Sequence, residues 1–464
     1  MTLIVNAEVE STPGTDVRIV GSRITEIGRG LAAGTAAVVD ARGGALIPGL
    51  TDHHLHLHAL AADSVSIRCG PPQVHDGPAL AAALESAPGD EHGWVRGVGY
   101  IDTVAGDLDA AALDRLHARR PVRVQHRSGA MWVLNSAAIA ATGLAAADHP
   151  GVERDASGAP TGRIWRADDW LRERLPAGRP PALGAVGAEL TRLGITTVTD
   201  ATPDLRPGSL TAIAEAVASG EVPQRVHLLG APLAGAPLHP RMSVGPYKIV
   251  LADSGLPDLD ALAGAIRAAH AVGRPVAAHC VSRESLLILL AVLHEVGTLS
   301  GDRVEHGALV PRETIADLAR LGLRVVTQPG FLAHRGDYYL REVEPRDLPD
   351  LYRCRSLLDA GVPLALSSDA PYGPLDPWAV MAAAIAREAP TGEVVGADER
   401  ISAAAALAGY LSPAKDPGGP ARQIVVGGEA DLVLLHVPVA EAWAAPAAEL
   451  VRLTVIGGHR YPAP

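Results

Sequence analysis

The segment Pro48-Gly49-Leu50-Thr51-Asp52-His53-His54-Leu55-His56-Leu57-His58 sets imidazoles at alternate positions directly after an apolar run, Ala45-Leu46-Ile47. On a strand, side chains two apart project to the same side, so His54 and His56 leave one strand end together. Two neutral imidazoles on one face are a chelate for a divalent transition metal such as zinc. A solvated His-rich turn is the plain alternative for this segment alone. Further along, other metal-capable side chains stand in or at the ends of strand-like runs. Lys248 lies in YKIVLA, His279 is next to last in PVAAHC, His306 ends DRVEH and Asp369 follows PLALSS. Any one of them reads most simply as a core or surface group. Together, at strand ends and in regular order, they point to a metal site.

Lys248 adds a chemistry of its own. The chain holds lysine only at Lys248 and Lys415, its other basic side chains being arginine apart from histidine. A lysine kept on a buried strand loses charge to desolvation from its usual pKa of about 10.4. The neutral amine can take up CO2 as a carbamate, whose two oxygens act as a carboxylate. An ordinary structural ammonium is the alternative.

These side chains need strands to hold them. Candidate strands are 46–51, 195–200, 225–229, 247–252, 275–280, 302–306, 323–327 and 363–368, with helical stretches between, among them Arg283 to Val296. Alternating strands and helices make a parallel α/β architecture, and eight such units make a (β/α)8 TIM-type barrel, whose chemistry sits at the C-terminal strand ends. The interval 52–194 exceeds the roughly 30 residues of a βα unit, so an insertion over the barrel mouth is expected at about 60–180. Residues 1–45 and 415–464 read as short strands with Gly turns, expected to form a small β-sandwich module, although no pairing signal joins them. The barrel then spans 46–414.

Composition narrows the classes. A hydrophobic content of 48% supports a large core, and a net charge of −12 argues against a nucleic-acid binder, which needs a basic face. Cys69, Cys280 and Cys354 form no CxxC pair, which fits a reducing, cytoplasmic compartment. No signal peptide or bilayer-length apolar run is present, so no membrane association is expected.

With these motifs in place, the chain resembles the amidohydrolase superfamily of metal-dependent hydrolases, in its YtcJ-like branch, the group that includes N-substituted formamide deformylases. Asp52, His54 and His56 match its D-x-H-x-H signature, His279 and His306 its fifth- and sixth-strand ligands, and Asp369 in SSDAP its eighth-strand aspartate. The segments GWVRGVGYID, VLNSAAI, GITTVTDA, YKIVLADSG, TQPGFLAHRGDYY, SSDAPYGPLDPW and GGEADLVLLH extend the similarity over nearly the whole chain.

The resemblance implies two Zn(2+) ions per chain. His54, His56 and Asp369 would hold one and His279 and His306 the other, with a CO2-derived carbamate on Lys248 bridging them. It implies hydrolysis of a C–N bond in an amide, N-substituted formamide or cyclic amide by attack of metal-bound hydroxide, with Asp369 as the proton carrier. A mononuclear deaminase of a heteroaromatic or amidine substrate is the alternative, and a non-catalytic ligand-binding homologue a more distant one. The partner is a small molecule, and a homo-oligomer is compatible with the pattern. One departure concerns specificity. Where the branch often has a histidine after Ser-Gly, this chain has Ala130, with His126 nearby as a substitute. Trp94, Tyr100, His126, Phe331, Arg335 and Trp378 are expected around the substrate, where their rings would grip a flat or apolar group. Packing of a lid is the competing role for these aromatics.

Overall fold

The structure, a computed structural model, describes residues 1–176, 181–251 and 258–462. The last two residues of the fourth candidate strand include Ala252, which lies outside them. Two compact units separate, one formed by Met1–Leu57 with Ala182–Pro464 and the other by His58–Pro181.

In the first unit the chain ends share one mixed sheet of eight strands. Thr2–Val9 sits near its middle, antiparallel to Thr12–Val20 and parallel to Ala37–Asp40 and Ala45–Pro48. From the other end of the chain, Leu432–Leu435 pairs antiparallel with Ala45–Pro48 and carries Val451–Ile456 and His459–Pro462 beyond it. Ile4, Val17, Ile19, Leu46, Leu434 and Val455 bury one core against this sheet.

The expected strand 46–51 divides at Gly49. Its first part belongs to the terminal sheet, and Leu50–Leu55 opens the parallel α/β region. The break follows from close approach: a Cβ on Gly49 would lie 2.3 Å from the Thr196 side chain. The strand therefore runs on through His54.

Nine parallel strands follow in two ladders. Leu50–Leu55, Ile195–Asp200, Arg225–Leu228 and Met242–Val244 form one, and Tyr247–Val250, Val276–Cys280, Arg303–His306, Arg324–Thr327 and Leu364–Leu366 the other. Helices such as Pro207–Ser219, Leu259–Ala271 and Arg283–Val296 connect them. In the last of these Ser282 caps the N-terminus by accepting from Ser285 N at 3.1 Å. It buries Leu286, Leu289, Leu290 and Leu293, each stabilised by about 1.5–3 kcal/mol when fully buried.

Among the described residues the two ladders do not join into one continuous barrel ladder, and each seam is bridged differently. At one, Asp369 N donates to His54 O at 2.8 Å and His56 N to Ala370 O at 2.9 Å. Asp52 Oδ1 accepts from His54 N at 3.0 Å and from Ser368 N at 3.3 Å across the same gap. At the other seam the buried Arg274 guanidinium donates to Gly245 O at 2.7 Å, Ala231 O at 2.8 Å, Pro232 O at 2.7 Å and Leu229 O at 2.8 Å.

The second unit has its own six-stranded mixed sheet, in the order Val152–Arg154, Pro160–Trp165, Met131–Leu134, Val122–His126, Val95–Tyr100 and Ile67–Arg68. Leu80, Leu84, Val95, Tyr100, Leu113 and Val124 fill one of its cores, and Trp94, Trp132, Leu134 and Ile164 another. No helix among the described residues is long and apolar enough to cross a membrane.

Candidate functional site

His54 is the penultimate residue of the strand Leu50–Leu55, and His56 follows it immediately. The turn beyond is fixed by Asp200, at the end of the neighbouring strand, which accepts from Leu57 N at 2.8 Å and Thr202 N at 3.0 Å. Thr202 Oγ1 lies 3.1 Å from His56 Nδ1, so the Nε2 edge of that ring is turned toward Asp369, 3.2 Å from its Oδ1. His54 Nε2 lies 3.5 Å from the same oxygen. His54, His56 and Asp369 each offer a ligand atom, and these atoms lie within 4.8 Å of one another.

The other candidates lie beside this group. His306 packs its ring 4.7 Å from His54 and 4.4 Å from His279, centroid to centroid. Its Nδ1 meets Gln328 Oε1 at 2.9 Å and stands 3.8 Å from Asp369 Oδ2. Lys248 is buried on Tyr247–Val250, within electrostatic reach of His54, His306 and Asp369. His54, His56, Lys248, His279, His306 and Asp369 thus gather in one cluster spanning both ladders.

The cluster is arranged for a cation. Among the described residues, His54 Nε2, Asp369 Oδ1 and Lys248 Nζ are buried without a hydrogen-bond partner, although nitrogen and oxygen lie close together. Unpaired buried polar atoms are costly, so the close approach of His54 Nε2 and Asp369 Oδ1 fits a bound ion. Burial is the main cause of the shifted protonation here. It pushes His54 and His306 well below the usual imidazole range, helped for His54 by Lys248 and for His306 by His279. Neutral imidazoles are what a metal ligates. Burial also lowers Lys248, and pushes Asp52 up to about 7 against its hydrogen bonds from Ser368 and His54. His306 and Asp369 hold left-handed backbone, φ +72° and +54°. Such positions cost about 1–3 kcal/mol each and concentrate at functional sites.

The expected substrate contacts divide. In the first unit Phe331 packs 6.0 Å from Tyr352, Arg335 lies over the Phe331 ring at 4.2 Å, and Arg335 Nη2 donates to Tyr372 O at 2.6 Å. Tyr372, not anticipated from sequence, sets its ring 5.6 Å from that of His56. Trp378 is placed elsewhere. It is buried on the helix Pro377–Ala386 and its indole N–H donates to Leu193 O at 3.1 Å, before the start of the strand that ends at Asp200. In the second unit Trp94 and Tyr100 are core residues, the latter donating to Gly106 O at 2.6 Å. His126 lies 2.8 Å from Ser128 Oγ at a strand end. Trp94, Tyr100 and Trp378 therefore have the surroundings of packing residues, the competing role noted for them.

Three supporting side chains were also missed: Glu305 against His54 Nδ1, Thr202 against His56 and Gln328 against His306. The signal for Glu305 was an acidic residue inside RVEH, a strand that has to be buried.

Comparison with known proteins places this geometry. A model of the amidohydrolase family matches residues 37–461. The N-substituted formamide deformylase of Arthrobacter pascens is 26% identical over 509 aligned positions, covering 93% of each chain. The amidohydrolase YtcJ of Bacillus subtilis (strain 168) is 24% identical over 397, covering 75% of each. Among solved structures, an uncharacterized metal-dependent hydrolase from Pyrococcus horikoshii superposes with a TM-score of 0.74 at 19% identity, covering 99% of both chains.

Proposed function

The chain belongs to the amidohydrolase family, and on that premise we propose that it hydrolyses the C–N bond of a neutral amide or N-substituted formamide at the cluster around His54 and Asp369. It is a hydrolase acting on carbon–nitrogen bonds other than peptide bonds, in the YtcJ-like branch. The observation that carries the site is the approach of His54 Nε2 to Asp369 Oδ1 at 3.5 Å, both buried and without a hydrogen-bond partner among the described residues, with the likewise unpartnered Lys248 Nζ within electrostatic reach.

His54, His56 and Asp369 would hold one divalent ion, and His279 and His306 a second. Lys248, as its carbamate, would link them. Zinc bound there would supply Lewis acidity, lowering the pKa of water from 15.7 to about 7 and polarising the carbonyl of the substrate. Thr202 and Gln328 hold the rings of His56 and His306 in place. Asp369 keeps Oδ1 toward the His54 and His56 rings, which leaves Oδ2 to take the proton of the attacking water and pass it to the leaving nitrogen. Tyr372, beside His56, forms an aromatic wall against which an apolar N-substituent would rest. Cys69, Cys280 and Cys354 are buried and form no disulfide, in keeping with a cytoplasmic enzyme of small molecules.

The test is a panel of formamides, acyl amides, cyclic imides and aminopurines against enzyme purified without chelator, together with elemental analysis. We expect about two zinc-like ions per chain and turnover of formamides or acyl amides. One ion per chain in active protein removes the bridging lysine, and ammonia released from aminopurines alone replaces amide hydrolysis with deamination.

A further inference from the structure

Glu305 is an acidic group that this chemistry leaves without a task. It lies inside the strand Arg303–His306 and is fully buried, as is its neighbour Arg303. The Glu305 carboxylate accepts from Arg303 Nε through Oε1 and meets His54 Nδ1 through Oε2. Arg303 is held in turn by the His53 carbonyl, 3.5 Å from Nη2. An ionised carboxylate only accepts hydrogen bonds, so the imidazole nitrogen facing it carries the proton. The remaining lone pair of His54 then lies on Nε2, the unpartnered atom 3.5 Å from Asp369 Oδ1.

We propose that Glu305 is a positioning residue, which fixes His54 as the Nδ1–H tautomer and aims its Nε2 lone pair into the His54–His56–Asp369 cluster. This rests on the reading of that cluster as a metal centre. Arg303 orients Glu305 and occupies one of its oxygens. A glutamine at 305 has the same shape but one acceptor and one donor. With the acceptor claimed by Arg303, its amide N–H2 would face His54 Nδ1 and move the ring proton to Nε2. The ring would stay in place with its ligating atom blocked.

Two measurements decide this. In 15N-histidine-labelled, metal-free enzyme, long-range 15N–1H spectra assign the tautomer of His54, identified by the signals lost in His54→Gln. The wild type should show Nδ1–H and Glu305→Gln should show Nε2–H. In parallel, zinc competition against a chromophoric chelator should give Glu305→Gln a 10- to 100-fold weaker affinity, roughly the loss seen when such supporting groups are removed. A wild-type His54 protonated at Nε2 overturns the proposal, even if the variant does not accumulate. So does a folded Glu305→Gln that binds zinc within about threefold of wild type. A wild type with the Nδ1–H tautomer and tight zinc that hydrolyses no amide sinks the substrate reading and leaves Glu305 in its role.

Discussion

Replacing Arg274 by Met removes a guanidinium that joins two ladders while keeping most of its volume. Four carbonyls accept from it. Two of these have other donors: Leu229 O receives Lys248 N at 3.3 Å and Pro232 O receives Gly235 N at 2.8 Å. The variant would therefore leave Ala231 O and Gly245 O, both on buried residues, without their donor. At about 1–3 kcal/mol for each orphaned buried acceptor, less what is recovered by no longer burying a guanidinium, the net loss is about 3 kcal/mol. That cost falls where Arg225–Leu228 and Met242–Val244 meet Tyr247–Val250. Native-state amide exchange followed by mass spectrometry should show peptides spanning 225–250 losing protection by roughly a hundredfold, at 1.4 kcal/mol per tenfold. Peptides of the terminal sheet, such as those containing Leu432–Leu435, should keep theirs. If the 225–250 peptides exchange as in the wild type while the variant remains folded, the clamp does not hold that seam. An equal loss in every peptide would make Arg274 a global rather than a local support.

Three further outcomes are expected. Lys248→Arg should be inactive and metal-poor, because a guanidinium cannot form a carbamate and stays cationic; retained turnover with full metal content refutes the bridging role. Asp369→Asn should lower kcat by roughly 10²- to 10⁴-fold while keeping much of its metal, and near-normal turnover moves proton transfer to another group. For matched N-benzyl and N-carboxymethyl amides, kcat/KM should favour the benzyl compound. A tenfold preference for the anion, about 1.4 kcal/mol, would mean that Arg335 rather than Tyr372 defines the pocket.

The cluster was legible because its chemistry repeats one local pattern, a metal-capable side chain at the end of a short apolar strand. His54, His56, His279, His306 and Asp369 obey it at or next to strand ends, whereas Lys248 sits inside its strand, and ring or electrostatic contacts link all six. What holds them was harder to read. Thr202 and Gln328 are side chains of ordinary type, and only three-dimensional proximity sets them against His56 and His306. The aromatic expectations at Trp94, Tyr100 and Trp378 show a different limit. A large ring is equally at home in a core and in a pocket, and its burial partners lie far away in sequence. Met242–Val244 escaped notice because a three-residue strand between Pro240 and Pro246 has too few positions for a period to appear. The division at Gly49 was hidden by hydrophobic residues on both sides of it, while the contact with Thr196 that requires the glycine comes from a distant strand.

The seam at His54 and Asp369 also sets an order on synthesis. The strand bearing His54 is made early, yet its backbone partners at 369 and 370 emerge more than three hundred residues later. Ala45–Pro48, just upstream, waits longer still, for Leu432–Leu435. Pairings of such sequence separation form late in folding, because a long loop must close before they return any stabilisation. On the ribosome, then, His54 and His56 wait more than three hundred residues for their carboxylate, and the sheet that pairs Ala45–Pro48 with Leu432–Leu435 closes later still. A chain cut short before residue 369 lacks one side of the cluster, and one cut before 432 lacks the strand against which Ala45–Pro48 pairs. Assembly of the site thereby waits for the chain through Asp369.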